Sequence, residues 1–342
     1  MEPTDPAPSS ESPDTPSLIA PSLRAFLHDI VDYAGLFPPS DLPLQEALEN
    51  YAEYRREPEA WILSRFVLPV RRLPDLTPHQ HLFKHGDPFL FSVLGTGGRT
   101  PDAFLDAFRR DLDVIDTFDD HHAGRTQVQV MEGLLPPSLL ESADADVAAF
   151  FDRVDRALVT TGTAQLDLFF EIPLDEETLA HLPPLCAAIA EFNSRQPVPP
   201  RCEIGLKIRC GGRTPEDIPP ARSIARVICA CRDAGISFKA TAGLHHPVRH
   251  YDDSMEKDRH GFFNLFGAAV LAQELHLSET DVQAILLDDV EDNFQFLKEE
   301  FGWRDLRAHV DGVEHTRDSL ATTFGSCSFT DPIHDLRDLD LI

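Results

Sequence analysis

The chain has 342 residues, 42% of them hydrophobic, which suffices for a sizeable core in one large domain or two ordinary ones. Its formal charge is −28, from 58 acidic against 30 basic residues. That balance argues against nucleic acid and anionic membrane surfaces as partners, since both reward basic patches, and no run of 18 apolar residues suggests a membrane span.

Residues 1–23 are expected to form a disordered tail: MEPTDPAPSSESPDTPSLIA is rich in Pro, Ser and acid and lacks the basic and apolar regions of a secretory signal. From residue 24 onward, strand-like and helix-like segments alternate. Strands are expected at 30–37, 61–69, 89–95, 126–131, 166–172, 203–209, 237–242 and 260–266. Helices are expected at 44–56, 101–118, 144–159, 176–193, 220–234 and 267–275. The helix-length connections between successive strands are what parallel pairing requires. The reading is a (β/α)8 TIM-type barrel over 24–277, with an open doubly wound parallel sheet as the alternative. Residues 278–342 read as a C-terminal helical extension, with helices at 279–289, 292–301 and 311–322 and an extended tail, packed on the barrel.

The six cysteines show no CxxC spacing, so a zinc ribbon or a disulfide framework is not expected, and reduced thiols in a cytoplasmic protein are. Only five lysines occur, against 25 arginines. The composition fits a salt-adapted cytoplasm or a biased genome equally well. Two of the lysines sit in rhyming phrases, Lys207 in GLKIRCGG and Lys239 in FKATAGLHH, each at the C-terminal end of a strand. Barrels keep their active sites at that end.

Side chains alternate across a strand. With the apolar set facing the helices, Lys207, Lys239, Glu171 and Asp32 all point into one interior. Adjacent strands lie about 4.8 Å apart, so the two amines are close enough to depress each other's pKa. An amine so activated attacks carbonyls to give a Schiff base, and Glu171 or Asp32 can shuttle protons. The same geometry also suits interior salt bridges, or binding of a phosphate or carboxylate.

The phrase FKATAGL resembles the Schiff-base strand of deoxyribose-phosphate aldolases, class I aldolases on a (β/α)8 barrel with lysines on the sixth and seventh strands. The resemblance implies that Lys239 forms the Schiff base and that Lys207 lowers its pKa. In that family the threonine-glycine phrase belongs to the first lysine strand, whereas here it lies on the second, so the two roles exchange if strand order governs. DYAGLFPP, FKATAGLHHPVR, GFFNLFGAAVLA and FGSCSF are also similar to signature phrases of a bacterial family to which no activity is attached.

Around the strand ends, Arg209, Thr241, His245, His246 and Arg249 are expected to bind an anionic small-molecule substrate. Gly211 and Gly212, followed by Arg213 and Thr214, open the backbone to an anion, although a tight turn with a threonine N-cap is the commoner use of such a phrase. Gly97–Thr100 has the same form. Asn264 in NLFG is the offering of the eighth strand. No metal ligands are assigned and no cofactor is required. A divalent metal using His245 or His246 with Glu171 and His260 is left open, since no HxH or HExxH pattern occurs. Cys327 in FGSCSF has no spaced histidine and asparagine signature and reads as part of a turn over the barrel mouth. The functional expectation is a class I aldolase or lyase acting on a small carbonyl or phosphorylated sugar-like substrate. The alternatives are a metal-assisted lyase or isomerase, with the lysines stabilising an enolate, and a non-catalytic ligand-binding barrel. A homo-oligomer is left open.

Overall fold

The computed structural model describes residues 19–140, 144–162, 165–197 and 199–342. Most of the expected disordered tail, residues 1–18, lies outside them. Residues Pro21–Leu27 form a helix, with Pro21 at the first position, where its missing N–H is no loss.

Eight parallel strands close into a barrel in chain order: β1 (Val31–Tyr33), β2 (Leu63–Pro69), β3 (Phe89–Leu94), β4 (Thr126–Leu134), β5 (Asp167–Glu171), β6 (Ile204–Arg209), β7 (Phe238–Thr241) and β8 (Ala321–Ser326). β1 pairs with both β2 and β8, which completes the ring. With helices between the strands, this is a (β/α)8 barrel, and the open sheet is excluded by that closure. The register sets Glu171 beside Lys207 and Lys207 beside Lys239.

The outward faces make the core. Phe170 packs against Phe104, Phe150 and Phe151 of the surrounding helices. Ile204, Leu206, Ile208, Phe238 and Ala240 are buried on the same outer layer. The alternation read from the sequence therefore holds, and the inner face of the barrel is polar.

The eighth strand is not where the sequence placed it. HGFFNLF opens the helix Phe262–Leu275, which is buried on nearly every side. A short apolar run has no periodicity that separates a buried strand from a buried helix. The true β8 comes from the segment read as an extension, so the barrel does not end at residue 277. Between β7 and β8 the chain makes a long excursion. It contains the hairpin His250–Asp252/Lys257–Arg259, three α-helices, and an antiparallel sheet of Phe294–Phe296, Glu300–Trp303 and Leu306–His309.

That sheet occupies the region expected to be the helix 292–301. FQF alternates with period two, and Arg304 takes the left-handed conformation that turns the next strand back. The sheet packs on the first helix: the Phe26 ring lies 5.2 Å from Phe296 and 4.9 Å from Phe301. The expected helix at 311–322 is Val310–Ser319, and the tail ends in the helix Thr330–Asp338.

Candidate active site

Seven charged side chains of alternating sign run through the barrel interior. The order is Arg65, Asp32, Lys239, Glu132, Lys207, Glu171, Arg209. Arg65 on β2 lies 3.6 Å from Asp32 Oδ1. Lys239 Nζ donates to Asp32 Oδ2 at 2.7 Å and to Glu132 Oε1 at 2.5 Å. Lys207 Nζ is 2.7 Å from Glu132 Oε2 and 3.0 Å from Glu171 Oε2. Arg209 Nε donates to Glu171 Oε1 at 3.1 Å.

Hydroxyls complete the buried part. Ser92 on β3 donates to Glu132 at 2.6 Å, and Thr323 on β8 donates to Asp32 at 2.7 Å. The Arg65 backbone N–H also reaches Asp32, at 3.1 Å. Buried ions persist when each is paired and hydrogen-bonded, and this chain meets that condition. Phe169 covers one flank, with its ring 5.8 Å from Lys239 Nζ.

Exposure is lowest at Asp32 and rises toward both ends, to 21% at Arg65 and further at Arg209. The Lys239 side chain is 1% exposed and Asp32 0%, while Lys207 is 7%, Glu171 15% and Arg209 48% exposed. From the C-terminal mouth inward the order is Arg209, Glu171, Lys207. Lys239 lies deeper, held by two carboxylates.

The electrostatics follow from these contacts. Burial alone would raise the pKa of Glu132, but the Lys207 and Lys239 ammonium groups outweigh it and hold the carboxyl far below its usual range. Burial likewise opposes the charge on Asp32, and Lys239 and Arg65 overcome it. Glu171 is burdened by burial in the same way, and Lys207 with Arg209 brings its pKa below the ordinary value. For Lys207, burial disfavours the ammonium, but Glu132 and Glu171 win and raise its pKa. The expected depression by a neighbouring amine is therefore overridden at Lys207, because a carboxylate the sequence reading missed sits between the two lysines.

Glu132 is that residue. The sequence reading stopped β4 at Met131, whereas the strand runs to Leu134. Glu and Gly are depleted in strands, which is why EGL looked like a boundary. Continued alternation through TQVQVMEGL was the signal that could have found it. Ser92 and Thr323 were missed as well, Thr323 because β8 was not recognised.

The other expected site residues divide. Thr241 follows Lys239 by two positions and is half-buried at the mouth. His245 turns toward Cys327 and Asp331, and His246 toward Asp335 at 2.6 Å. Arg249 is taken by the hairpin: its guanidinium pairs with Asp258 at 2.5 Å and its N–H donates to Asn264. Asn264 is fully buried and donates to the carbonyls of Ile285 and Asp288. It is a structural tie, and its expected substrate role falls with the misplaced strand. Past Gly211 and Gly212, the N–H groups of Arg213 and Thr214 donate to Asp217 Oδ2 at 2.8 and 2.9 Å. That turn is thus closed by the chain's own carboxylate rather than left open for an anion. Thr100, after Gly97 and Gly98, caps its helix by accepting from Ala103.

The residues considered for a metal do not converge. His260 is buried against the Pro219 carbonyl, and Glu171 is engaged with Lys207 and Arg209. Among the described residues, no group of three or more His, Cys, Asp or Glu side chains is arranged to hold a metal ion. No helix among them is long and apolar enough to cross a membrane.

No family model matches the chain, and no curated protein does. A solved structure assigned as a deoxyribose-phosphate aldolase, from Toxoplasma gondii ME49, is similar over 93% of this chain and 93% of that chain, with a TM-score of 0.35 and 8% identity. A likeness at that level carries no argument about chemistry, and the fold here rests on its own strand pairing.

Proposed function

We propose that this barrel is an enzyme of the aldolase or lyase type, which captures a small carbonyl compound as an imine on Lys207. One observation carries the reading: Lys207 occupies a slot for a cation between two carboxylates, Glu132 and Glu171, at the more open end of the charged chain. A protonated imine keeps the positive charge of the ammonium it replaces. The two carboxylates that hold Lys207 protonated would then stabilise the iminium through contacts already in place.

Lys207 first loses its proton to solvent at the mouth, so the free amine forms only as the pH rises. The free amine adds to the carbonyl carbon, and loss of water leaves the iminium. The iminium then accepts the electron pair released when the adjacent carbon–carbon bond breaks. Glu171, next to the mouth, takes the proton from the departing hydroxyl and returns it to the remaining carbon. Arg209, half-exposed beside it, draws an anionic substituent such as a phosphate or carboxylate. Lys239 pairs with Glu132 from the deeper side, and Asp32 positions it. This is the exchanged assignment of the two lysines, and the greater burial of Lys239 is what favours it.

A second reading is favoured by the raised pKa of Lys207. On it, the chain is a closed ionic core that never releases a neutral amine, and the mouth only binds an anion at Arg209. Incubation with small aldehydes, ketones and sugar phosphates, followed by borohydride and intact-mass measurement, separates the two. A stable mass gain of one substrate less one oxygen atom supports imine chemistry. No gain across the panel, with the protein still folded, supports the ionic core.

A further inference from the structure

A second chemically equipped cluster sits at the rim of the barrel, apart from the charged chain. Thr323 and Gly325 share the barrel-facing side of β8, since Thr323 reaches Asp32 and Gly325 abuts Thr241. Cys327 continues that alternation one residue past the strand end. Its Sγ lies 3.8 Å from His245 Nε2, and His245 Nδ1 lies 3.5 Å from Asp331 Oδ2. The loop after β7, the end of β8 and the helix Thr330–Asp338 thus bring together a thiol, a base and a carboxylate that orients the base.

The surroundings favour a charged sulfur. Ser40 donates its hydroxyl to the Cys327 carbonyl at 3.0 Å. Its backbone N–H also lies where it favours the thiolate. The other ionisable groups facing this pair are Tyr33 from β1, which is near the sulfur, and Arg259 from the hairpin, which is near His245. Burial disfavours the Cys327 thiolate, but His245 and Ser40 outweigh it and lower the pKa. Burial pushes Cys210 up to about 12 and Cys229 up to about 11. Cys327 itself is 8% exposed, and the groups beside it open to the outside: His245 is 19% and Asp331 50% exposed.

We propose that Cys327, His245 and Asp331 form a nucleophilic thiol site that captures an aldehyde as a thiohemiacetal at the barrel mouth. The sulfur lone pair forms the S–C bond, the carbonyl π pair moves to oxygen, and the His245 imidazolium gives that oxygen its proton. Reversal releases the aldehyde, and no oxidant or further reactant is consumed. The choice of an aldehyde rests on the reading of the barrel as a carbonyl enzyme. The reactive thiol itself does not.

The test is alkylation of the intact protein with iodoacetamide at about pH 6.5, followed by peptide mapping of all six cysteines. Cys327 is expected to react about tenfold faster than the other five, with the His245→Gln variant losing about tenfold at that pH and Asp331→Asn losing about threefold. Propionaldehyde is expected to protect Cys327 saturably. The exposed Asp331 supplies a variant that leaves the core untouched, should His245→Gln not fold. Borohydride adducts on lysine report the barrel interior separately. Protection of Cys327 without any lysine adduct upholds the thiol site and removes the imine reading. Cys327 reacting no faster than the other five cysteines, which are buried as it is, indifference to both variants, or absence of protection by the aldehyde would each overturn the proposal.

Discussion

Lys207 and Lys239 share one carboxylate: Glu132 accepts from Lys207 through Oε2 at 2.7 Å and from Lys239 through Oε1 at 2.5 Å. The two amines therefore act through a common counter-ion rather than on each other. Each pairs with the group that the other also uses, so a change at one lysine is felt at the second through Glu132.

Glu132→Gln keeps the shape of the side chain and removes the charge that both lysines face. Loss of one partner from a buried ion pair costs about 3–5 kcal/mol. Removing Asp106, whose pairing with Arg109 is solvent-exposed, should cost below about 1 kcal/mol. Urea unfolding of the two variants checks the contrast. Equal effects would mean that the chain contributes no more than a surface pair.

The same network sets a pH window. Asp32, Glu132 and Glu171 have folded pKa values below their ordinary ones, so the folded state binds fewer protons than the unfolded state as the pH falls. Their contribution is full above about pH 5 and is lost progressively below it. Lys207 is shifted the other way: its contribution is full below about pH 10 and declines as the pH rises through its folded pKa. Thermal unfolding across pH should show a plateau with both limbs falling, and Lys207→Met should flatten the alkaline limb.

Asp119 is expected to work against stability. Burial pushes its carboxyl up to about 6, and its Oδ1 finds no hydrogen-bond partner. Between its ordinary value of 3.8 and about 6, folding holds a proton that the unfolded chain releases, so the penalty grows with pH and persists above. Asp119→Asn should stabilise the protein at neutral pH by about 1–2 kcal/mol and have little effect in acid. Melting temperatures under the two conditions provide the comparison.

Gly205 shapes the floor of the site. A Cβ there would lie 2.6 Å from the Phe169 ring and 2.6 Å from the Ser237 carbonyl, and the carbonyl is backbone that cannot yield cheaply. Gly205→Ala should cost about 1–3 kcal/mol through overpacking and should displace the ring that covers Lys239. Chemical denaturation measures the first effect, and a change in the fluorescence or near-ultraviolet dichroism of the folded state reports the second.

Much of this arrangement was legible in the sequence because strand alternation is a strict rule. It sets Asp32, Glu171, Lys207 and Lys239 in one interior. It failed where composition masked the pattern. Glu132 lay beyond an apparent strand end, and Thr323 lay in a tail whose extended character was clear but whose place in the barrel was not. Asn264 was misassigned because HGFFNLF is apolar without a period, and no local rule tells a buried strand from a buried helix there. The Cys327–His245–Asp331 cluster was invisible for a different reason: its members lie on three segments that meet only when β8 closes the ring.

The most direct test of the account is to locate the borohydride-trapped adduct by peptide mapping across a pH series. The account expects the adduct on Lys207, with a trapping rate that rises about tenfold per pH unit through the alkaline range, because the amine reacts only when deprotonated. An adduct on Lys239, or a rate flat in pH, would contradict the assignment of Lys207 as the reachable amine of the charged chain.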